Sequence, residues 1–129
     1  MADVSGPQSV QWALFSLKGR IRRATYGLGM ALLFTSWWVA VSQLFAFHES
    51  SGQFTLWALI LLLLGVVSTY CIYALCYKRL QDLGYRGTYA LIIVGLSFFL
   101  WAFLLIPLVL LGVLKGQEET NEYGPPPVR

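Results

Sequence analysis

The sequence predicts an all-α membrane protein: three transmembrane helices preceded by a short N-terminal interfacial amphipathic helix. Three observations predict it. The stretches 26–47, 54–77 and 89–114 hold no charged residue, and each exceeds the roughly 20 residues that a helix needs to cross a hydrocarbon core of about 30 Å. The chain is 57% hydrophobic and 12% charged, where soluble domains carry about 25% charged residues. Its basic residues also alternate in position. Lys18, Arg20, Arg22 and Arg23 precede the first stretch, none lies in 48–53, Lys78, Arg79 and Arg86 follow the second, and Lys115 and Arg129 lie in the tail. Positive residues collect on the cytoplasmic side. The N-terminus and second loop are therefore expected inside, and the first loop outside. With three spans the tail is also expected outside.

Residues 1–8 are small, polar and Pro/Gly-containing, and are expected to fray. Ser9 can cap a helix over 9–18. Val10, Ala13, Leu14 and Leu17 follow i, i+3, i+4, i+7 spacing, an apolar stripe too short to span and suited to the membrane interface. Gly19 would break it. The spans are expected at about 26–47, 54–77 and 89–114, within a single membrane domain over 9–114. In the first, Gly27-x-x-x-Ala31-x-x-x-Thr35 sets small residues on one face, which lets helices approach closely in lipid. Trp37 and Trp38 sit mid-span, and at least one should face protein so that its indole N–H finds an acceptor. The short loop 48–53 makes the first two spans an antiparallel hairpin. Tyr70, deeper in the second span than Tyr77, needs an internal partner for its hydroxyl. The third run contains Pro107, which favours a kink. One tilted, kinked span is the leading reading, and a re-entrant hairpin turning near Pro107, which would return the tail to the cytoplasm, is the alternative. Residues 115–129 form a polar, Pro-rich tail. The first apolar run is too long for a signal-peptide core, so it is expected to act as an uncleaved insertion signal.

Three polar boxes border the apolar runs. The first holds Gly19, Arg20, Arg23 and Tyr26, the second Arg79, Leu80, Asp82 and Gly87, and the third Asn121, Tyr123, Gly124, Pro125 and Pro127. Their order and spacing, from about residue 17 onward, resemble those of the DUF805 family, small bacterial inner-membrane proteins of uncharacterised function. The chain departs from the family pattern at Gln81, where His is frequent, at Gly27 and Thr88, where Trp is common, and at Pro126, where Asp is common. The resemblance implies a multi-pass location in the bacterial inner membrane. It carries over no activity, cofactor or partner.

The residues themselves narrow the function classes. Arg presents a planar fork suited to phosphate, so Arg20, Arg23 and Arg79 are candidates for binding an anion or a lipid headgroup on the cytoplasmic side. The competing reading is that they set topology and snorkel to headgroups. Asp82 follows Arg79 by three positions and can pair with it on a helix. Gly19, Tyr26, Asp82, Gly87, Asn121, Tyr123 and Gly124 are candidate structural positions, with a turn expected at Gly124-Pro125. His48 stands alone beside one Glu and makes no metal site. Cys71 and Cys76, at i, i+5, suggest no disulfide. The apolar runs carry none of the ionisable groups that line ion-coupled pathways, and the boxes hold no nucleophile–base pair. The leading expectation is a non-catalytic structural or accessory subunit without a cofactor, associating with lipid, with copies of itself or with a membrane partner. Second comes a binding module for anionic lipid or a small anion. Third comes a component of an oligomeric transporter or channel. The basic residues flank apolar runs, as headgroup-facing residues do, so nucleic acid is not expected as a partner.

Overall fold

A computed structural model describes residues 9–47, 51–99 and 105–127. These form five helices: α1 (Val10–Phe15), α2 (Arg23–Ala46), α3 (Ser51–Asp82), α4 (Tyr89–Phe99) and α5 (Leu105–Val113). The described residues contain no strand, only an isolated bridge between Asn121 and Gly124. Residues 1–8, for which fraying is expected, and His48 lie outside the described residues.

The two long helices form the scaffold. Tyr26 meets Cys76, Gly29 faces Leu75 and Trp37 faces Gly65. These pairs run in opposite order along α2 and α3, so the helices form an antiparallel hairpin. At Gly29 a Cβ would stand 3.0 Å from Leu75 Cδ1, and the missing side chain is what lets the helices close there. The core gathers at the end where α2 begins and α3 finishes. It comprises Tyr26, Met30 and Leu33 of α2, Cys71, Leu75 and Cys76 of α3, Ala90 of α4 and Leu108 and Leu111 of α5. Elsewhere the hairpin turns apolar side chains outward, among them Leu28, Trp38 and Phe45 of α2 and Leu62, Leu63 and Val66 of α3. Trp37 is the tryptophan that packs inward, while Trp38 is 78% exposed.

The expectation of three membrane spans needs correction. Among the described residues two helices are long and apolar enough to cross a membrane, Arg23–Ala46 and Gly52–Asp82. The third apolar run is divided into α4, of 11 residues, and α5, of 9. At 1.5 Å per residue these reach only about 16 and 14 Å, half a bilayer core. α4 leaves from the end of α3 and runs back along it, sharing a groove in which Tyr73 and Val66 face Leu91 and Gly95. α5 returns to the same end, where Leu108 and Leu111 meet Tyr26 and Arg79. The two described arms thus return as the re-entrant alternative expects, but Pro107, where that hairpin is expected to turn, lies within α5. Pro107 does not kink a continuous helix. It stands third among the described residues of α5.

Placing the tail opposite the N-terminus is corrected with it. The Arg20 guanidinium donates to the carbonyls of Glu119 and Gly124, so the tail and the N-terminal segment share one end of the bundle. Two helix limits also shift. α3 continues through Asp82 rather than ending near 77, which puts Arg79 and Asp82 on its last turn and Lys78 just before it. α1 stops at Phe15, well before Gly19. Its Ser9 cap accepts from the Trp12 N–H at 3.2 Å. The carbonyls that a longer helix would use are taken by α3, as Ala13 accepts from Lys78 and Phe15 from Tyr70. α1 is thereby docked on α3, with Ala13 buried and Val10 66% exposed.

Candidate functional site

The C-terminal end of α3 carries three ties. Lys78, Arg79 and Asp82 are all buried there, and each reaches a different part of the chain. Burying charge is costly unless it is paired and hydrogen-bonded, so the partners account for the arrangement.

Asp82 is the centre. Its Oδ1 accepts from Arg20 Nε at 3.0 Å and its Oδ2 accepts from Arg79 Nη1. Arg20 then donates through Nη1 to Glu119 O at 2.8 Å and Gly124 O at 3.2 Å, and through Nη2 to Gln117 O and Asp82 O. These contacts match the five donors of a guanidinium. Arg79 donates from Nε to Leu111 O at 2.7 Å, from Nη1 to Ile21 O at 3.3 Å and from Nη2 to Leu114 O. Leu111 lies in the last turn of α5, where carbonyls lack helical partners and a cation opposes the negative end of the dipole. One carboxylate and two guanidiniums thus bind the start of α2, the end of α3, the end of α5 and the tail into a single knot.

Lys78 does the same for α1. Its Nζ donates to Trp12 O at 2.7 Å and to Ala13 O, and it lies 4.3 Å from the centre of the Trp12 ring, a cation–π contact. Tyr70 finds the internal partner that its depth demands, donating to Phe15 O at 3.0 Å. Tyr26 donates to Leu108 O at 3.0 Å and holds α5 against α2.

Glycines and the tail complete the site. Gly116 passes so close to Asp82 that a Cβ there would overlap the carboxylate. Gly87 lies under the Tyr77 ring, 2.6 Å from where its Cβ would be. Gly19 adopts φ +92, which favours glycine, beside the Trp12 ring. Asn121 donates to Gln81 O at 2.9 Å and accepts from the Tyr123 N–H at 3.0 Å, while Asn121 and Gly124 close a tight turn. The tail so folded lies against the end of α3, and Gln117 N donates to Asp82 O at 2.9 Å.

Of the sequence candidates, Arg20 and Arg79 meet on Asp82, with Gly19, Tyr26, Gly87, Asn121, Tyr123 and Gly124 arranged around or beside them. Arg23 makes none of these bonds; it is exposed at the start of α2 and borders the same cleft as Arg79. Lys78, Trp12, Gly116 and Gln117 were not singled out. A lysine at a span boundary reads as an ordinary anchor, and backbone carbonyl acceptors leave no mark in a sequence. Beside the knot opens a cleft of about 1260 Å³, bordered by Arg22, Arg23, Arg79, Lys115 and Glu118. Both Asp82 oxygens are engaged, and no group of three His, Cys, Asp or Glu residues that could hold a metal occurs among the described residues. The knot is thus built to hold segments together.

No curated protein and no solved structure matches the chain. Residues 14–125 match the family described as "Protein of unknown function (DUF805)". That match takes in the knot, from Arg20 through the end of α3 to the turn at Gly124, and the chain belongs to the DUF805 family.

Proposed function

We infer that this chain is a multi-pass protein of the bacterial inner membrane, acting there as a non-catalytic structural or accessory subunit. The observation that carries the reading is the uncovered apolar surface of the α2–α3 hairpin. Leu28 and Phe45 are each 72% exposed, and Leu62, Leu63 and Val66 are comparably open. Soluble monomers rarely expose contiguous apolar patches beyond a few hundred Å², whereas lipid or a partner helix covers such a surface at no cost. The polar groups support the same reading, since Arg20, Arg79, Lys78 and Asp82 are consumed in holding the chain together. Gly27, Ala31 and Thr35 form an exposed small-residue face on α2, and a Cβ at Gly27 would meet nothing within 4 Å. Such a face suits close approach by another helix. The cationic end, with Lys18, Arg20, Arg22, Arg23 and Arg86, is assigned to the cytoplasm by the positive-inside rule.

Two measurements test this. The full chain should stay in the membrane pellet through alkaline carbonate washing and dissolve in detergent, and release by carbonate would overturn the membrane assignment. With Ala31→Cys in native membranes, a thiol cross-linker should yield a discrete adduct with a copy of the chain or a partner. A chain that stays monomeric and adduct-free would overturn the accessory-subunit reading.

A further inference from the structure

The cleft beside the knot has a charge balance that the knot does not use up. Asp82 is shared between Arg20 and Arg79, so the three groups together leave one positive charge. On the rim Lys115 and Glu118 pair at 2.6 Å and cancel. Arg22 and Arg23 add two further cations from the start of α2. Arg20 lies outside the lining, so the concave surface itself carries Arg22, Arg23, Arg79 and Lys115 against Asp82 and Glu118 and is positive by two charges. Arg22 adds a second, independent indication. Its Nε is shielded from solvent and has no hydrogen-bond partner, a donor left unsatisfied at a cost that a ligand would relieve. The backbone of the same segment points to the same ligand. Arg22 is the residue before the 24-residue α2, it makes no side-chain cap, and the first turn holds no acid. The open N–H groups there favour an anion.

We propose that this cleft binds a phosphate-bearing anion, held by Arg22, Arg23 and the first turn of α2 with Lys115 at the rim. Arg79, whose guanidinium looks from sequence like a natural ligand, acts instead as part of the positively charged wall, and Arg20, tied to Asp82 and the tail, stays outside the lining. Phosphate chemistry fits because guanidinium forks pair with phosphate oxygens in two parallel bonds. The cleft volume of about 1260 Å³ exceeds that of a bare ion, leaving room for an attached group. The anion has two sources, a lipid headgroup entering from the surrounding bilayer or a soluble phosphate compound entering from the aqueous side.

The test uses the full chain in phosphatidylcholine nanodiscs. One arm adds phosphatidylglycerol and counts lipids retained by native mass spectrometry. The other titrates inorganic phosphate and pyrophosphate by calorimetry. Wild type should bind in at least one arm, and Arg22→Gln with Arg23→Gln should weaken that binding by about tenfold or more, as loss of charge-assisted contacts implies. Arg86→Gln, which removes an exposed cation outside the cleft, should leave binding intact. Binding confined to the lipid arm assigns the headgroup, binding confined to the titration assigns the soluble anion, and binding in both with competition supports the shared phosphate site. No binding in either arm, or equal losses for the double variant and Arg86→Gln, would overturn the proposal. If the double variant fails to fold, Lys115→Gln takes its place, with a several-fold loss expected and an unchanged affinity overturning the claim. The titration also runs in detergent solution, so it stands or falls separately from the membrane assignment.

Discussion

Arg20 and Asp82 lie 62 positions apart in the chain, and Arg20 Nε sits 3.0 Å from Asp82 Oδ1 with both side chains almost free of solvent. Arg20 leads into α2 and Asp82 ends α3, so this one ion pair locks both strands of the hairpin at the same level. Arg20 carries the lock onward to the tail through Gln117, Glu119 and Gly124. The pair is thus a cross-link between segments distant in sequence, and its strength depends on the carboxylate that joins it to Arg79.

Removing that carboxylate should expose the cost of the two cations it serves. Asp82→Ala leaves Arg20 and Arg79 buried together without a counter-charge, and breaking a buried pair in this way costs about 3–5 kcal/mol. Asp82→Asn keeps an acceptor oxygen for one guanidinium and should lose less. Thermal unfolding in one fixed detergent should rank wild type above Asp82→Asn above Asp82→Ala. Equal midpoints for all three would show that the knot does not stabilise the fold.

Two glycines offer a contrast that needs no charge. A Cβ at Gly116 would overlap the Asp82 carboxylate, while one at Gly27 meets nothing within 4 Å. Gly116→Ala should therefore force the tail off the end of α3 and destabilise by about 1–3 kcal/mol, as overpacking does. Gly27→Ala should be neutral or slightly stabilising, because alanine is the better helix former by about 1 kcal/mol. Paired melting curves in the same detergent check both, and a larger loss at Gly27 would contradict the packing.

Much of this was legible in the sequence, and the gaps have physical causes. The α2–α3 hairpin follows from hydropathy and a short polar loop. The Arg79–Asp82 pair follows from i, i+3 spacing on a helix. The need of Tyr70 for an internal partner follows from its depth. That the boxes around Arg20, Asp82 and Asn121 occupy one place did not follow, because spacing along a chain says nothing about which ends meet. The third apolar run misled for a different reason. Its composition is uniformly greasy across α4 and α5, so hydropathy registers no interruption, and Pro107 reads equally as a kink or as the turn of a hairpin. Lys78 reads from sequence only as a basic residue flanking an apolar run, because its partners, Trp12 O and Ala13 O, are backbone atoms.

Lys78 makes a local prediction. Lys78→Met keeps the length of the stem but strands the Ala13 carbonyl and leaves Trp12 O with only the Ser16 N–H, at about 1–3 kcal/mol for an unsatisfied buried group. The loss should appear in α1 alone. Hydrogen exchange of the amides in Val10–Phe15 should accelerate while that of the α2–α3 core keeps its protection. Tyr70→Phe, which removes the bond to Phe15 O, should act in the same direction and less strongly. Acceleration spread evenly through α2 and α3 would mean that Lys78 supports the whole bundle.

The sidedness of the tail separates a single crossing of the third run from a returning one. Lys18, Gln53 and Thr120 are all exposed, so each tolerates a cysteine, and the native Cys71 and Cys76 are buried at 1% and 0% exposure, which shields them from a membrane-impermeant maleimide. Because Arg20 binds the carbonyls of Glu119 and Gly124, the tail cannot leave the end of the bundle where α2 begins. Lys18→Cys and Thr120→Cys should therefore be labelled from the same side of sealed vesicles, and Gln53→Cys from the other. A third run crossing the bilayer once would instead pair Thr120→Cys with Gln53→Cys, and would require the Arg20 contacts to the tail to be absent in the membrane. The same assay with Asp82→Ala added asks whether the knot holds the tail in place. If it does, hydrogen exchange around Asn121–Gly124 should accelerate while Thr120→Cys keeps its side, because the apolar arms α4 and α5 still return the chain to where it started.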